Sequence, residues 1–282
     1  MKNLYNIRTL CNAVNLHHSV YYYHKHNKEN SYKKANKELD KKILVEFENS
    51  KQIYGSPKIT QILNQQGIKV SQKRVARRMK ALGIKSIIVK KFNHNGNKKV
   101  DDANKENLLA QNFKTEKPGQ KWVGDITYIY TKETGWSYLA IVMDLFDLKI
   151  IGWSYSINMT AKIVIDAFKK AKTNRKMEEG IIFHSDLGSQ YTSNEYEKLL
   201  KENNVKHSYS KKGYPYDNAS MESFNAILKK EELNVNTYTT IIEAKLAIFE
   251  FIESWYNNTR IHSTLDYKTP NQKYNEYIKN IA

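Results

Sequence analysis

The sequence predicts an α/β core that follows small all-α modules, and three observations support this prediction. Positive charge is concentrated early: residues 1–121 contain 26 Lys and Arg against 9 Asp and Glu, whereas residues 122–282 contain 20 of each. Apolar residues at helical spacing and helix-capping residues characterise residues 33–83. After residue 121, short β-rich segments alternate with helical ones, which indicates a sheet covered on both faces. The basic part indicates a polyanionic partner, with a merely soluble surface as the alternative.

A short helical module is predicted in residues 1–30. One helix is expected near residues 9–14, and Ser19 is expected to cap another. Four nearby histidines suggest zinc, but Cys11 is the single cysteine of the chain, so a two-His, two-Cys ligand set cannot be completed. We therefore expect exposed histidines and no metal here. The four are His17, His18, His24 and His26.

Residues 31–90 predict a helix-turn-helix-like DNA-binding domain. Leu39, Ile43 and Phe47 are four residues apart and indicate one buried face of a first helix. A solvated helical hairpin without DNA-binding activity is the alternative, because such motifs occur often by chance.

Capping residues bound the next two helices of this domain. Ser56 and Pro57 indicate the N-cap and the first residue of one helix, which Gly67 ends. Ser71 is expected to cap the other helix, and Gly83 to end it. Basic residues cover the second of these helices, which is typical of a recognition helix. Its candidate DNA contacts are Lys73, Arg74, Arg77 and Arg78.

A polar linker is predicted over residues 91–118, with one short helix around Leu108 and Leu109. The core is expected in residues 119–235. Its predicted strands cover residues 122–130, 137–144, 150–156, 180–184 and 205–208, and its predicted helices cover residues 161–171 and 193–203. A helical extension, with an apolar helix over residues 241–256, completes residues 236–282.

Three acidic residues of the core are candidates for catalysis. Asp125 lies mid-strand, where an unpaired carboxylate is costly, Asp186 follows the fourth strand, and Glu222 opens a helix. We expect them to converge on one sheet edge. Clustered carboxylates repel one another and are tolerated when divalent cations neutralise them. Two such ions, about 3.5–4 Å apart, would suit phosphoryl transfer.

These acids resemble those of the DDE superfamily of transposases and retroviral integrases, which has 35 residues between the last two acids, as here. The likeness is most specific to the second-reading-frame (OrfB) product of a large bacterial insertion-sequence family and covers nearly the whole chain. Its blocks are residues 54–57, 122–128, 152–153, 184–191, 217–224 and 256–270. Asp147 and Lys149 depart from the family, whose members usually have a hydroxyl or small polar residue and an Arg there.

The resemblance implies a ribonuclease-H-like catalytic core with a five-stranded mixed sheet. It implies metal-dependent DNA strand cleavage followed by 3′-OH strand transfer of an insertion sequence. Asp125, Asp186 and Glu222 would be catalytic and would bind two Mg²⁺ ions per active site, with Mn²⁺ as the alternative. The implied partners are double-stranded DNA (the terminal inverted repeats and the target), further copies of the chain on that DNA, and an upstream-reading-frame product acting as a fusion or partner.

The resemblance also supports DNA contacts in the core. Lys229 lies seven residues after Glu222, on the same helical face, where the superfamily commonly has a basic residue that contacts the DNA end. Further candidates are Gln190, Lys211, Lys212, Asn218 and Asn225. His184 is expected either to contact metal-bound water or phosphate, or to orient a neighbouring group through hydrogen bonds.

Other functions remain as alternatives. The first is a DNA-binding regulatory subunit that is inactive without its upstream fusion partner, and the second is a nuclease that cuts without joining. The acid spacing and the basic first part disfavour the nuclease, while tyrosine recombination lacks its Arg- and His-rich site. The apolar run over residues 136–146 is too short to span a membrane and is interrupted by Asp144. With one cysteine and no signal-peptide pattern, a cytoplasmic, nucleoid-associated protein is expected.

Overall fold

The computed structural model describes residues 6–25, 31–88, 106–211 and 215–281. The chain forms two units, and the first, Met1–Ile87, is built from helices. The helices are α1 Ile7–Ala13, α2 His18–Lys25, α3 Ser31–Asn49, α4 Ser56–Gln65 and α5 Gln72–Ala81. Leu39, Ile43 and Phe47 of α3 are buried, as their spacing predicts. They pack with Ile59 and Leu63 of α4 in the interior of the three-helix part of this unit.

Two of the predicted helix starts in this unit are wrong. Gly55 is the N-cap of α4, because Ser56 is already helical and its carbonyl accepts a hydrogen bond from Thr60 Oγ1. Ser19 lies inside α2, where the ring of His17 accepts from the Ser19 backbone N–H at 3.4 Å. Ser71 caps α5 as predicted, since its side chain accepts from the backbone N–H of Arg74.

The second unit, Ile88–Ala282, is built on a five-stranded sheet with the order β3-β2-β1-β4-β5. Its strands are β1 Lys121–Thr131, β2 Gly135–Asp144, β3 Ile150–Ser156, β4 Ile182–Ser185 and β5 Lys206–Tyr209. The first three form an antiparallel meander, and β4 and β5 add in parallel beside β1. The predicted α/β class and mixed five-stranded sheet are confirmed.

One face of the sheet is covered by α6 Ala161–Asn174 and α7 Asn194–Glu202. Trp122, Phe168, Phe183 and Tyr196 form the aromatic centre of the core on this side, and all four are fully buried. Gly152 lets β3 approach α6 closely, since an added Cβ would lie 2.3 Å from the carbonyl oxygen of Ala167.

Further helices form the rest of the unit. They are α8 Ala219–Leu228, extended by a π-helical turn at Lys229–Leu233; α9 Ile241–Phe249, extended likewise at Glu250–Tyr256; and α10 Pro270–Ile281. Short 3-10 turns lie at Pro215–Asn218 and Ser263–Leu265. Phe224 of α8 packs against Tyr256 with ring centroids 4.7 Å apart, which joins the C-terminal helices to α8.

Buried polar contacts fix the C-terminal extension. Arg260 donates to both carboxylate oxygens of Glu231, and Trp255 Nε1 donates to the same carboxylate at 3.0 Å. Asn257 exchanges two hydrogen bonds with the backbone of Ile150 at the start of β3. Arg260 is therefore a structural residue of the extension.

Asp147, which departs from the family pattern, takes part in a buried ion cluster. Arg175, just after α6, binds Asp144 at 3.1 Å and Asp147 at 2.7 Å, and all three side chains are buried. The Arg175 guanidinium also lies over the ring of Tyr274 in α10, 4.0 Å from its centroid. This cluster holds the end of β2, the end of α6 and α10 together.

The short helix predicted around Leu108 and Leu109 is wrong. Ala110 and Gln111 have φ of 44° and 59°, which ends any helix there, and the backbone N–H of Leu109 donates to Ser208 Oγ at 2.9 Å. The rest of the predicted linker lies partly outside the described residues. Within the described part of the chain, no helix is long and apolar enough to span a membrane.

Candidate active site

Asp125 lies in the middle of β1, paired in register with Ile141 of β2. Its side chain is partly buried, and its Oδ2 accepts a 2.6 Å hydrogen bond from Asn225 Nδ2. Burial, followed by the negative charges of Asp186 and Glu222, raises the pKa of Asp125 to about 7. An ionised Asp125 is therefore unfavourable here unless a cation accompanies it.

Asp186 directly follows β4, and its side chain is exposed. Its Oδ1 accepts from the backbone N–H of Gly188 at 2.9 Å, which forms a tight turn. A Cβ on Gly188 would lie 2.9 Å from the same Oδ1, so a larger residue there would displace the carboxylate. The Asp186 carbonyl accepts from Ser185 Oγ at 3.0 Å. Hydrogen bonds thus fix both the side chain and the backbone of Asp186.

Glu222 lies in the first turn of α8 and is exposed. The start of α8 is held against β1 by two asparagines: Asn218 donates to the carbonyl of Gly124 at 3.2 Å, and Asn225 donates to Asp125. Because Asn225 follows Glu222 by three residues, both side chains lie on the same side of α8. This placement explains why Glu222 contributes to the raised pKa of Asp125.

The donor set of this carboxylate group suits a divalent metal ion. Its oxygen ligands are those preferred by Mg²⁺ and Mn²⁺, and a cation would offset the repulsion that raises the pKa of Asp125. Asn225 Oδ1 is buried beside them without a hydrogen-bond partner, and an amide oxygen suits the same ions. Among the described residues, no group of three or more His, Cys, Asp or Glu side chains is placed so that it could hold a metal ion.

His184 is fully buried, and both of its ring nitrogens are engaged. Nδ1 lies 2.8 Å from Ser208 Oγ and Nε2 lies 2.9 Å from Ser210 Oγ. Burial lowers the pKa of His184 to about 4, so the ring is neutral near pH 7. This geometry ties β4 to β5 and leaves neither nitrogen for a metal-bound water.

The other predicted DNA contacts of the core fall into two groups. The amide nitrogens of Asn218 and Asn225 bind protein groups, and that of Gln190 donates to the Met159 carbonyl at 3.2 Å. Lys211 is exposed and Lys229 is partly exposed, so both can reach a phosphate. Lys212 lies outside the described residues.

Asp217, a residue that the sequence reasoning did not single out, joins two segments beside the site. It is buried and accepts from Asn107 at 2.9 Å, from Gln111 at 3.0 Å and from the backbone of Lys211 at 3.0 Å. The segment that precedes β1 is thereby fixed to the turn that precedes α8. The signal in the sequence is that Asp217 opens the block of residues 217–224, next to Asn218.

In the helical unit, the predicted DNA contacts on α5 also differ from one another. Arg78 forms a two-pronged ion pair with Asp40 of α3, at 2.7 and 2.6 Å. Arg74 donates to Asn36 of α3 at 3.1 Å. Lys73 and Arg77 are exposed. The first pair of arginines therefore stabilises the α3–α5 packing, and the second pair of basic residues is available to DNA.

Comparisons with known proteins agree with this division of the chain. An integrase core domain model matches residues 115–215, a second integrase core domain model matches residues 203–270, and an HTH-like domain model matches residues 34–92. The chain is 43% identical over 240 residues to the transposase for insertion sequence element IS904 of Lactococcus lactis, covering 84% of this chain and 94% of the relative. It is 36% identical over 280 residues to transposase InsF for insertion sequence IS3A of Escherichia coli, covering 99% and 96%.

A solved structure is also similar. The HTLV-2 integrase catalytic core domain, determined in complex with magnesium, superposes with a TM-score of 0.43 at 20% identity and covers 56% of this chain and 97% of that one.

Proposed function

The chain belongs to the insertion-sequence transposases that carry an integrase core domain, and is a polynucleotidyl-transferase-type enzyme acting on DNA; from this premise we propose that Asp125, Asp186 and Glu222 are its catalytic carboxylates. The proposed cofactors are two divalent metal ions, Mg²⁺ or Mn²⁺, held between them. When bound, such ions would activate the attacking oxygen and stabilise the leaving oxygen.

The proposed reaction has two steps at DNA phosphorus atoms. Water attacks a phosphodiester at the element end: a new P–O bond forms, the bond to the 3′ oxygen breaks, and that oxygen takes up a proton. The resulting 3′-hydroxyl then attacks a second phosphodiester in line: a new P–O bond forms as the hydroxyl loses its proton, the bond from that phosphorus to its own 3′ oxygen breaks, and the displaced oxygen takes up a proton. Phosphoryl transfer of this kind depends mainly on positioning and charge neutralisation.

The residues of the chain divide the positioning between them. Asp125 is fixed on β1 by Asn225, Asp186 is fixed at the end of β4 by Gly188, and Glu222 is carried on α8. In the proposal, Lys229 and Lys211 bind DNA phosphates beside the carboxylates, and Lys73 and Arg77 bind DNA from the helical unit.

The observation that carries this proposal is geometric: Asn225 of α8 donates to Asp125 of β1 at 2.6 Å, which holds the helix of Glu222 against the strand of Asp125. Burial and the charges of Asp186 and Glu222 accordingly raise the pKa of Asp125 to about 7. Two carboxylates far from Asp125 in sequence thus lie near enough to act electrostatically on it. Perturbed carboxylates of this kind are concentrated at functional sites.

The test uses labelled DNA that carries the element's own ends, with Mg²⁺, and compares the wild type with Asp186→Asn and Glu222→Gln. We expect the wild type to nick and join DNA and both variants to lose both activities while they still bind DNA. Asp166→Asn, on the exposed face of α6, is the matched control and should retain activity. Cleavage that survives both active-site substitutions would contradict the assignment. Binding without cleavage by the wild type, even with Mn²⁺, would favour a regulatory subunit instead.

A further inference from the structure

A series of polar side chains in contact leads from the surface to the backbone of Asp186. Glu197 of α7 lies 3.3 Å from His207 Nδ1, and His207 Nε2 lies 3.0 Å from Ser185 Oγ. Ser185 Oγ in turn lies 3.0 Å from the carbonyl oxygen of Asp186. We call these three side chains, Glu197, His207 and Ser185, the β5 relay.

The direction of each hydrogen bond follows from the chemistry of the groups. The Asp186 carbonyl can only accept, so the single hydroxyl proton of Ser185 is donated to it. Ser185 Oγ must then accept from His207, which places a proton on Nε2 of the imidazole. Nδ1 lies 3.3 Å from a Glu197 carboxylate oxygen, a contact that stabilises the ring only when Nδ1 also carries a proton. The two hydrogen bonds from His207 to Ser185 and from Ser185 to the Asp186 carbonyl therefore run in one direction.

The packing around the relay leaves its groups little freedom. Ser185 is fully buried. The ring of His207 stacks on Tyr209 with centroids 4.0 Å apart and meets Phe183 edge-on at 6.0 Å. Tyr209 also donates its hydroxyl proton to Glu197. The Ser185 hydroxyl contacts both His207 and the Asp186 carbonyl, so it holds the neighbouring backbone.

We propose that His207 and Ser185 are positioning residues that fix the backbone of Asp186, so that its carboxylate is preorganised to bind the metal ions. The inference rests on the proposed function, because it assumes that Asp186 is a metal ligand. Residues that orient a ligand commonly affect metal affinity about 10–100-fold when they are removed. The relay acts at the carbonyl of Asp186, while the hydrogen bond from Gly188 acts at its carboxylate.

The test measures binding of Mn²⁺ alone to the full chain, from the electron paramagnetic resonance signal of the free ion, together with the Mg²⁺ dependence of DNA cleavage. The variants are Ser185→Ala, His207→Ala and His207→Gln, whose amide nitrogen can replace Nε2 as the donor. Ser137→Ala is the matched control, because Ser137 is also a buried sheet serine and donates to the Ile129 carbonyl at 2.7 Å. Asp186→Asn is the reference for loss of the ligand.

We expect Ser185→Ala and His207→Ala to weaken Mn²⁺ binding about tenfold and to raise the half-saturating Mg²⁺ concentration similarly. His207→Gln should recover most of the affinity, and DNA binding should stay unchanged throughout. A Mn²⁺ affinity of Ser185→Ala within twofold of that of Ser137→Ala would overturn the proposal. So would a Mn²⁺ affinity of His207→Gln within twofold of that of His207→Ala. If His207→Ala does not fold, the comparison of Ser185→Ala with Ser137→Ala decides. Unchanged Mn²⁺ affinity in Asp186→Asn would instead refute the proposed function itself.

Discussion

Asn225 of α8 donates a 2.6 Å hydrogen bond to Asp125 of β1 and so connects the helix that carries Glu222 to the strand that carries Asp125. The bond is charge-assisted, because its acceptor is a carboxylate. It lowers the pKa of Asp125, whereas burial and the neighbouring carboxylates raise it. Asn225 therefore influences both the orientation and the ionisation of Asp125.

Replacing Asn225 should impair catalysis more than DNA binding. In Asn225→Ala, the Asp125 carboxylate loses the hydrogen bond from Asn225 Nδ2. The position of the carboxylate then becomes less defined. We expect the single-turnover cleavage rate to fall about 10–100-fold with little change in DNA affinity. Asn236→Ala, which removes an exposed asparagine that binds Glu232, should cleave normally. Equal rates for the two variants would show that the Asn225 contact is dispensable.

Asp125 should make the metal-free protein less stable as the pH rises. Its folded pKa of about 7 lies above its ordinary value of 3.8, so the folded state binds more protons between these values. Stability is therefore lost as pH increases from about 4 to 7. With a chelator at pH 8, we expect Asp125→Asn to be more stable than the wild type by about 1–3 kcal/mol, and the gap to close only as the pH falls to about 4. Thermal unfolding of both proteins across this pH range measures the stability difference. A difference that does not change with pH would contradict the raised pKa of Asp125.

The sequence was sufficient to predict the sheet and the identity of the candidate carboxylates. Alternating and continuous apolar runs define β1 to β5 because each strand has at least one buried face, and that burial pattern is local. The motif around Asp125, Asp186 and Glu222 is likewise visible without coordinates. What could not be predicted is how their neighbours are used.

Asn225 and Asn218 show why. Both were plausible DNA contacts, since an amide near a phosphate site is as good a donor as any, but the structure directs them to Asp125 and Gly124. Arg78 has a partner that the sequence could not reveal for the same reason: Asp40 is 38 residues away, and only the packing of α3 on α5 brings them together. Polar side chains find partners through tertiary contacts, which no local pattern encodes.

Arg175 should be essential for stability. Its removal leaves Asp144 and Asp147 buried without a cation, so Arg175→Met should cost about 3–5 kcal/mol at pH 7.5 in urea unfolding. The loss should be smaller at pH 5.5, because the pKa of both acids is already raised by burial and would rise further, which favours their neutral forms. Lys162→Met, which breaks an exposed pair with Asp166, should change stability by less than about 0.5 kcal/mol. Similar losses for the two variants would show that the cluster contributes no more than a surface pair.

Gly152 should tolerate no side chain. In Gly152→Ala the new Cβ would lie 2.3 Å from the Ala167 carbonyl and 2.6 Å from the Ala171 nitrogen, both backbone atoms of α6. The helix must move away from β3, and we expect a loss of about 2–3 kcal/mol in the free energy of unfolding. In Gly135→Ala the new Cβ meets no atom within 4 Å. The expected loss in the free energy of unfolding is therefore only the strain of a side chain at a φ of 79°, about 1 kcal/mol. A larger effect at Gly135 than at Gly152 would mean that α6 adapts without cost.

The basic residues of α5 should separate into stabilising and DNA-binding pairs. Lys73→Ala and Arg77→Ala are each expected to weaken binding to all DNA sequences and to reduce the slope of log affinity against log salt by about 1, because each removes one phosphate contact. Arg78→Ala should lower the unfolding free energy of the helical unit by about 1 kcal/mol or more and leave the salt slope unchanged, since its guanidinium is bound to Asp40. Fluorescence anisotropy between 50 and 200 mM salt distinguishes the two classes. If Arg78→Ala reduced the slope as much as Arg77→Ala, the Asp40 pair would have to open when DNA binds.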